Sequence, residues 1–164
     1  MSFKSGNTTL SFSDLELSMG KIKNKTHETL TGLDATIEWE SVETLLFEHY
    51  PVGKKKKGPQ AYSPMMLFKC LLLRNWFRIS SDAELSSLLN DRFSFKKFVG
   101  LPLADPAPDS STFSRFRHRL TPDVYHTILS DISDQLSQKR LIISMGRASD
   151  IKISRTRRTP EQKK

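Results

Sequence analysis

The stretch DSSTFSRFRHRL, residues 109–120, gathers the side chains best suited to chemistry in this chain. On a period of about 3.6 residues, Ser111, Ser114, Arg115, His118 and Arg119 share one helical face, and Phe113, Phe116 and Leu120 share the other. One side can bury while the other meets phosphates and base edges. Arginine fits O6 and N7 of guanine bidentately, and hydroxyls and a helix N-terminus suit phosphate. Arg117 points nearer the apolar face and stands apart from this set. The bland alternative is a basic face that is merely solvated.

Other groups add charge rather than readout. Lys54, Lys55, Lys56 and Lys57 lie between Gly53 and Gly58, either as a solvated loop or as a loop that touches phosphate, where lysine acts as a point charge. Lys96, Lys97 and the arginines of the tail SRTRRTPEQKK would contribute non-specific affinity in the same way. The four histidines are scattered, and the spacing of eight between His118 and His126 is not that of a metal-ligand pair. No glycine-rich phosphate loop, nucleophile elbow or Cys/His pair is present.

Charge divides the chain. Residues 1–50 carry four lysines against eight acids, net −4, whereas residues 51–164 carry 22 Lys or Arg against ten acids, net +12. A region this basic attracts polyanions, of which nucleic acid is the commonest in a cytosol. The single cysteine, Cys70, falls inside an apolar helical run and reads as an inert core thiol, so no disulfide framework exists and a reducing cytoplasm is expected. The start of the chain lacks the apolar stretch of a signal peptide. The most apolar run, residues 65–77, is too short and too interrupted to span a bilayer, so no membrane partner is expected.

The elements that must position the arginine helix can be read in order. Residues 1–33 look like an irregular arm. Ile37, Val42, Leu45, Leu46 and Tyr50 recur at near-helical spacing, after a cap at Asp34 or Thr36 and before Pro51. Ser63-Pro64 opens a helix that is apolar almost all round, the expected centre of the core. Ser81-Asp82-Ala83-Glu84 is a capping box ahead of Leu85, Leu88 and Leu89. Phe93, Phe95 and Phe98 follow, closed by Gly100 at a C′ position; with Phe77 they read as core in preference to a stacking platform for single strands. Pro102, Pro106 and Pro108 stiffen the next loop. After the arginine helix, Thr121-Pro122 opens an amphipathic helix to about residue 139, and Leu141-Ile142-Ile143 and Ile151-Lys152-Ile153 are β-like.

Three runs in this order, SPMMLFKCLLLRNWFRIS, DAELSSLLNDRFSFKKFVGL and DPAPDSSTFSRFRHRL, resemble the N-terminal domain of bacterial insertion-sequence DDE transposases of the InsH type, the IS-five group. The resemblance covers residues 36–160. It implies a helix-turn-helix-like domain, residues 34–140, that binds terminal inverted repeats in double-stranded DNA. It also implies a following RNase H-like domain in which three carboxylates hold two Mg²⁺ ions. Gly146 to Lys152 matches the family's first-carboxylate segment, so Asp150 aligns with that acid, although Arg147 and Ser149 stand where the family's strand is apolar. The chain runs only 14 residues past Asp150. Residues 141–164 are therefore expected to be a truncated, basic remnant, with Asp150 inactive, no cofactor, and no enzyme activity of the fragment on its own.

The expected protein is thus a mainly α DNA-binding fragment of a transposase, cytoplasmic and nucleoid-associated. Two alternatives stand beside it: the upstream part of a split, active transposase, or an interaction fragment. In the latter the apolar stripes of residues 37–50 and 124–136 would pair with a second copy or with full-length transposase and inhibit it.

Overall fold

The apolar run after Ser63 forms the helix on which the other helices pack. In this computed structural model, residues 24–50, 61–144 and 152–155 are described. Seven helices are found among them: α1 (Lys25–Thr36), α2 (Trp39–His49), α3 (Pro64–Trp76), α4 (Asp82–Asp91), α5 (Phe93–Val99), α6 (Ser110–Arg119) and α7 (Pro122–Gln138). A short antiparallel pair follows, β1 (Leu141–Ser144) and β2 (Lys152–Arg155), in register from Leu141 opposite Arg155 to Ser144 opposite Lys152. The chain is mainly helical, as its periodicities indicate.

Helix α3 buries nine of its 13 residues, among them Leu67, Phe68, Leu72 and Leu73. A helix apolar on every side can satisfy its surface only by being enclosed. Helices α2, α5 and α6 pack on α3, and α4 packs on both α5 and α6. Phe77, Phe95 and Phe98 are buried, with Phe77 and Phe95 at a ring separation of 4.7 Å. These rings are core and cannot stack on nucleic-acid bases. Cys70 is fully enclosed, and burial pushes its thiol well above the ordinary range, which leaves it inert.

Helix α1 corrects the expected irregular arm from residue 25 on; residues 1–23 of that arm lie outside the described residues. Asn24 caps it by accepting from the His27 amide, and Leu30 and Leu33, three residues apart, bury completely. Two leucines were too sparse a signal in a polar stretch containing Gly32. The stripe that begins at Ile37 is likewise split: Ile37 and Glu38 break the chain between α1 and α2, and the true start of α2 is Trp39.

Helix α7 closes the molecule against α2. Gln135 accepts from the Glu38 amide at 2.8 Å, Ser41 and Gln135 both donate to Asp131, and Lys139 donates to the Thr36 carbonyl. Much of the two apolar stripes, residues 37–50 and 124–136, packs inside this chain, while Leu45, Val124, Tyr125 and Leu129 are partly exposed. Val42, Leu46 and Tyr50 of one, and Ile128, Ile132 and Leu136 of the other, are buried within this single chain.

Neither Asp34 nor Thr36 caps α2, since both lie within α1 and Glu38 stands at the cap; the other helix termini follow their sequence signals with two differences. In the box at α4, Ser81 accepts from the Glu84 amide, but Glu84 reaches back to Ser80, amide and hydroxyl, instead of to Ser81. Ser63 and Thr121 make no side-chain cap bond; their prolines at the first turn start the helices alone. Gly100 adopts φ +76°, the left-handed conformation that a C′ position calls for.

Candidate nucleic-acid interface

The approach to α6 is built before the helix begins. Its ten-residue lead-in, residues 100–109, contains three prolines and so has few amides with which to make a regular structure. Side chains hold it instead. Lys96 donates to the Leu103 carbonyl at 2.8 Å and the Asp105 carbonyl at 2.7 Å, and Asn90 accepts from the Ala107 amide at 2.9 Å. Lys96 is only 6% exposed. It therefore leaves the set of expected DNA-contacting residues: its ammonium is consumed by the loop.

Asp109 then caps α6, accepting from the Thr112 amide at 2.7 Å and from the Ser111 hydroxyl at 2.8 Å. The Ser111 bond, followed by the Thr112 amide, holds the Asp109 carboxyl below its ordinary pKa. A carboxylate thus already occupies the positive end of the helix, where the sequence suggested a phosphate. Ser111 is also shared with Arg115, whose guanidinium folds back onto the Ser111 hydroxyl at 3.0 Å and the Thr112 hydroxyl at 3.4 Å.

Past the first turn the two faces separate. Phe113 and Phe116 have no exposed surface and Leu120 has 2%, whereas Ser111, Arg115, His118 and Arg119 are exposed and Ser114 is half-buried. The five residues read from the sequence are therefore together on one face. Arg119 lies over the Tyr50 ring, 6.0 Å from its centre, and Tyr50 meets Phe116 edge-on at 4.9 Å, so the last turn is seated on α2.

The lysines behave differently. Lys97 is exposed, but its near neighbours are Phe93 on α5 and His27 on α1, away from α6. Lys54 to Lys57 and Asp150 lie outside the described residues. Among the described residues no three His, Cys, Asp or Glu side chains stand where they could together hold a metal ion.

One basic cluster escaped the sequence. Arg117 makes a two-pronged bond to Asp82, Nη1 to Oδ1 at 2.6 Å and Nη2 to Oδ2 at 2.5 Å. Arg74 joins from α3, its Nε 3.5 Å from Asp82 Oδ1 but outside hydrogen-bonding geometry, its Nη2 donating to the Ser80 carbonyl. The Arg117 bond holds the Asp82 carboxyl below its ordinary pKa, and the same bond raises that of Arg117. Only the departure of Arg117 from the polar face, and of Arg74 from an apolar run, marked these residues in the sequence.

Fold and site together define a small helical domain that rests an arginine-bearing helix on a continuous core and turns its polar face outward. The family model described as a transposase domain (DUF772) matches residues 18–119, and the chain belongs to that family. No curated protein and no solved structure matches it. The matched segment ends at the last residue of α6, while α7, beyond it, completes the core. Among the described residues no helix is long and apolar enough to cross a membrane.

Proposed function

We propose that this domain binds duplex DNA for a transposase, reading terminal inverted repeats of an insertion sequence through the outer face of α6. One observation carries the reading. Arg115, Arg119, His118 and Ser111 are exposed on a helix whose opposite face is wholly buried, so the helix is rigid where it rests and free where it would read. The back-folded bonds of Arg115 to Ser111 and Thr112 are surface bonds that guanine O6 and N7 can replace at little net cost. The packing of α4 against α6 supplies the pair of helices that a helix-turn-helix-like reader needs, here joined through α5 and the loop instead of a short turn. Binding, not cutting, is proposed for these residues: Asp34, Asp82 and Asp109 are committed to Lys69, to the arginines and to the cap of α6.

Combining Arg115→Ala with Arg119→Ala should remove sequence preference while the fold is kept. Each bidentate contact to guanine is worth about 1–3 kcal/mol. Binding to a repeat duplex should fall to the level of a scrambled duplex, with the circular dichroism spectrum unchanged. Undiminished preference in the double variant would overturn the proposal.

A further inference from the structure

A groove of about 610 Å³ opens between the C-terminal end of α3, Arg117 of α6 and the first turns of α7. Arg74, Arg78, Arg117, Tyr125, His126 and Asn75 line it over an aliphatic floor. Three guanidinium groups converge there, and the carboxylate that pairs with two of them, Asp82, leaves the cluster with a surplus positive charge. Arg78 has no hydrogen-bond or ion-pair partner for its side chain among the described residues. Arg74 Nε is buried without a hydrogen-bond acceptor. Tyr125 is kept protonated by burial and offers an O–H.

The backbone at Arg78 is the second observation. Helix α3 ends in a double turn in which the Ile79 amide donates to the Arg74 carbonyl at 2.9 Å and the Arg78 amide to the Asn75 carbonyl at 3.3 Å. Helix α5 ends in the same pattern, Leu101 to Lys96 and Gly100 to Lys97. There the left-handed residue is Gly100, at φ +76°; in α3 it is Arg78, at φ +50°. Arg140 takes similar backbone at the end of α7 but does not line this groove. Glycine is the relaxed choice at such a position, and a side chain there carries strain. At the end of α3 the strain sets a guanidinium at the rim of the groove.

On α6, Arg117 and Ser114 lie on the same flank, so the groove continues the polar face around the helix. We propose that this groove seats a backbone phosphate of the DNA that lies across α6, held by Arg78 and His126 beside the Asp82-anchored Arg117. The proposal rests on the reading of α6 as the DNA-binding face and adds a contact that positions the duplex without reading its sequence.

Fluorescence anisotropy of the full chain with labelled repeat and scrambled duplexes, at several salt concentrations, tests it. Arg78→Gly is the informative variant because it relieves the backbone: its melting temperature should match or exceed the wild type. Affinity for both duplexes should fall by the same factor, about threefold to tenfold near 100 mM salt, and the slope of log K against log salt should flatten by about 1, the loss of one phosphate contact. Lys25→Ala, which removes a charge away from the groove, should leave that slope unchanged. Unaltered affinity and slope in Arg78→Gly, while Arg115→Ala with Arg119→Ala still loses preference, would overturn the phosphate seat and leave the reading of α6 standing. A wild-type chain that binds neither duplex would remove both. Stabilisation by inorganic phosphate that Arg78→Gly abolishes, with duplex binding unaltered, would assign the groove to a free anion and overturn the proposal as stated.

Discussion

Asp82 sits in the first turn of α4, where any acid complements the positive end of the helix, yet its carboxylate is committed to Arg117, 35 residues away. Replacement by asparagine keeps the shape and removes the charge. Two guanidinium groups then lose their only carboxylate among the described residues, and a cost of about 1–3 kcal/mol is expected in urea unfolding. The pH dependence has a fixed sign. Because Arg117 lowers the folded-state pKa of Asp82, the pair contributes its full stability above the unfolded value, about 3.9, and loses it as pH falls through the depressed folded value. The advantage of wild type over Asp82→Asn should therefore be flat from about pH 7 to pH 5 and shrink below about pH 4. An advantage that shrank already between pH 7 and 5 would point to a titrating group other than this carboxylate.

At the scale of elements, α6 is placed by what precedes it. Lys96 bonds two carbonyls of the proline-rich lead-in, so Lys96→Met should leave both unpaired and cost about 1–3 kcal/mol, with weaker duplex binding because α6 is no longer held in place. A Lys96 that served DNA would instead lose affinity without losing stability. Local signals made most of the elements legible. The proline starts, the Ser81 cap, Gly100 and the period of α6 each act within four residues and appear where the sequence puts them. What failed was non-local. Whether Lys96 is solvated or buried depends on carbonyls brought back by a turn at residues 102–105, and whether Asp82 is a cap acid or a clamp depends on α6. Helix α1 was missed because two leucines in a polar stretch gain meaning only when α5 is there to cover them.

For the whole molecule, the division of charge in the sequence becomes a division of labour. The helices enclose one core, and around α6 the arginines divide into those that hold the fold, Arg74 and Arg117, and those left outward, Arg115, Arg119 and Arg78. Net charge alone would give a chain that adheres to any polyanion; the proposed function instead asks a rigid face with two exposed arginines to discriminate between sequences. The most direct test of that claim is a salt titration of the full chain on a terminal-repeat duplex and on a scrambled duplex of equal length. Binding to the repeat at least about tenfold tighter, about 1.4 kcal/mol, with both affinities falling as salt rises, is the expected result. Equal affinities that fall together with salt would contradict it, because they would leave the outer face of α6 as charge without readout.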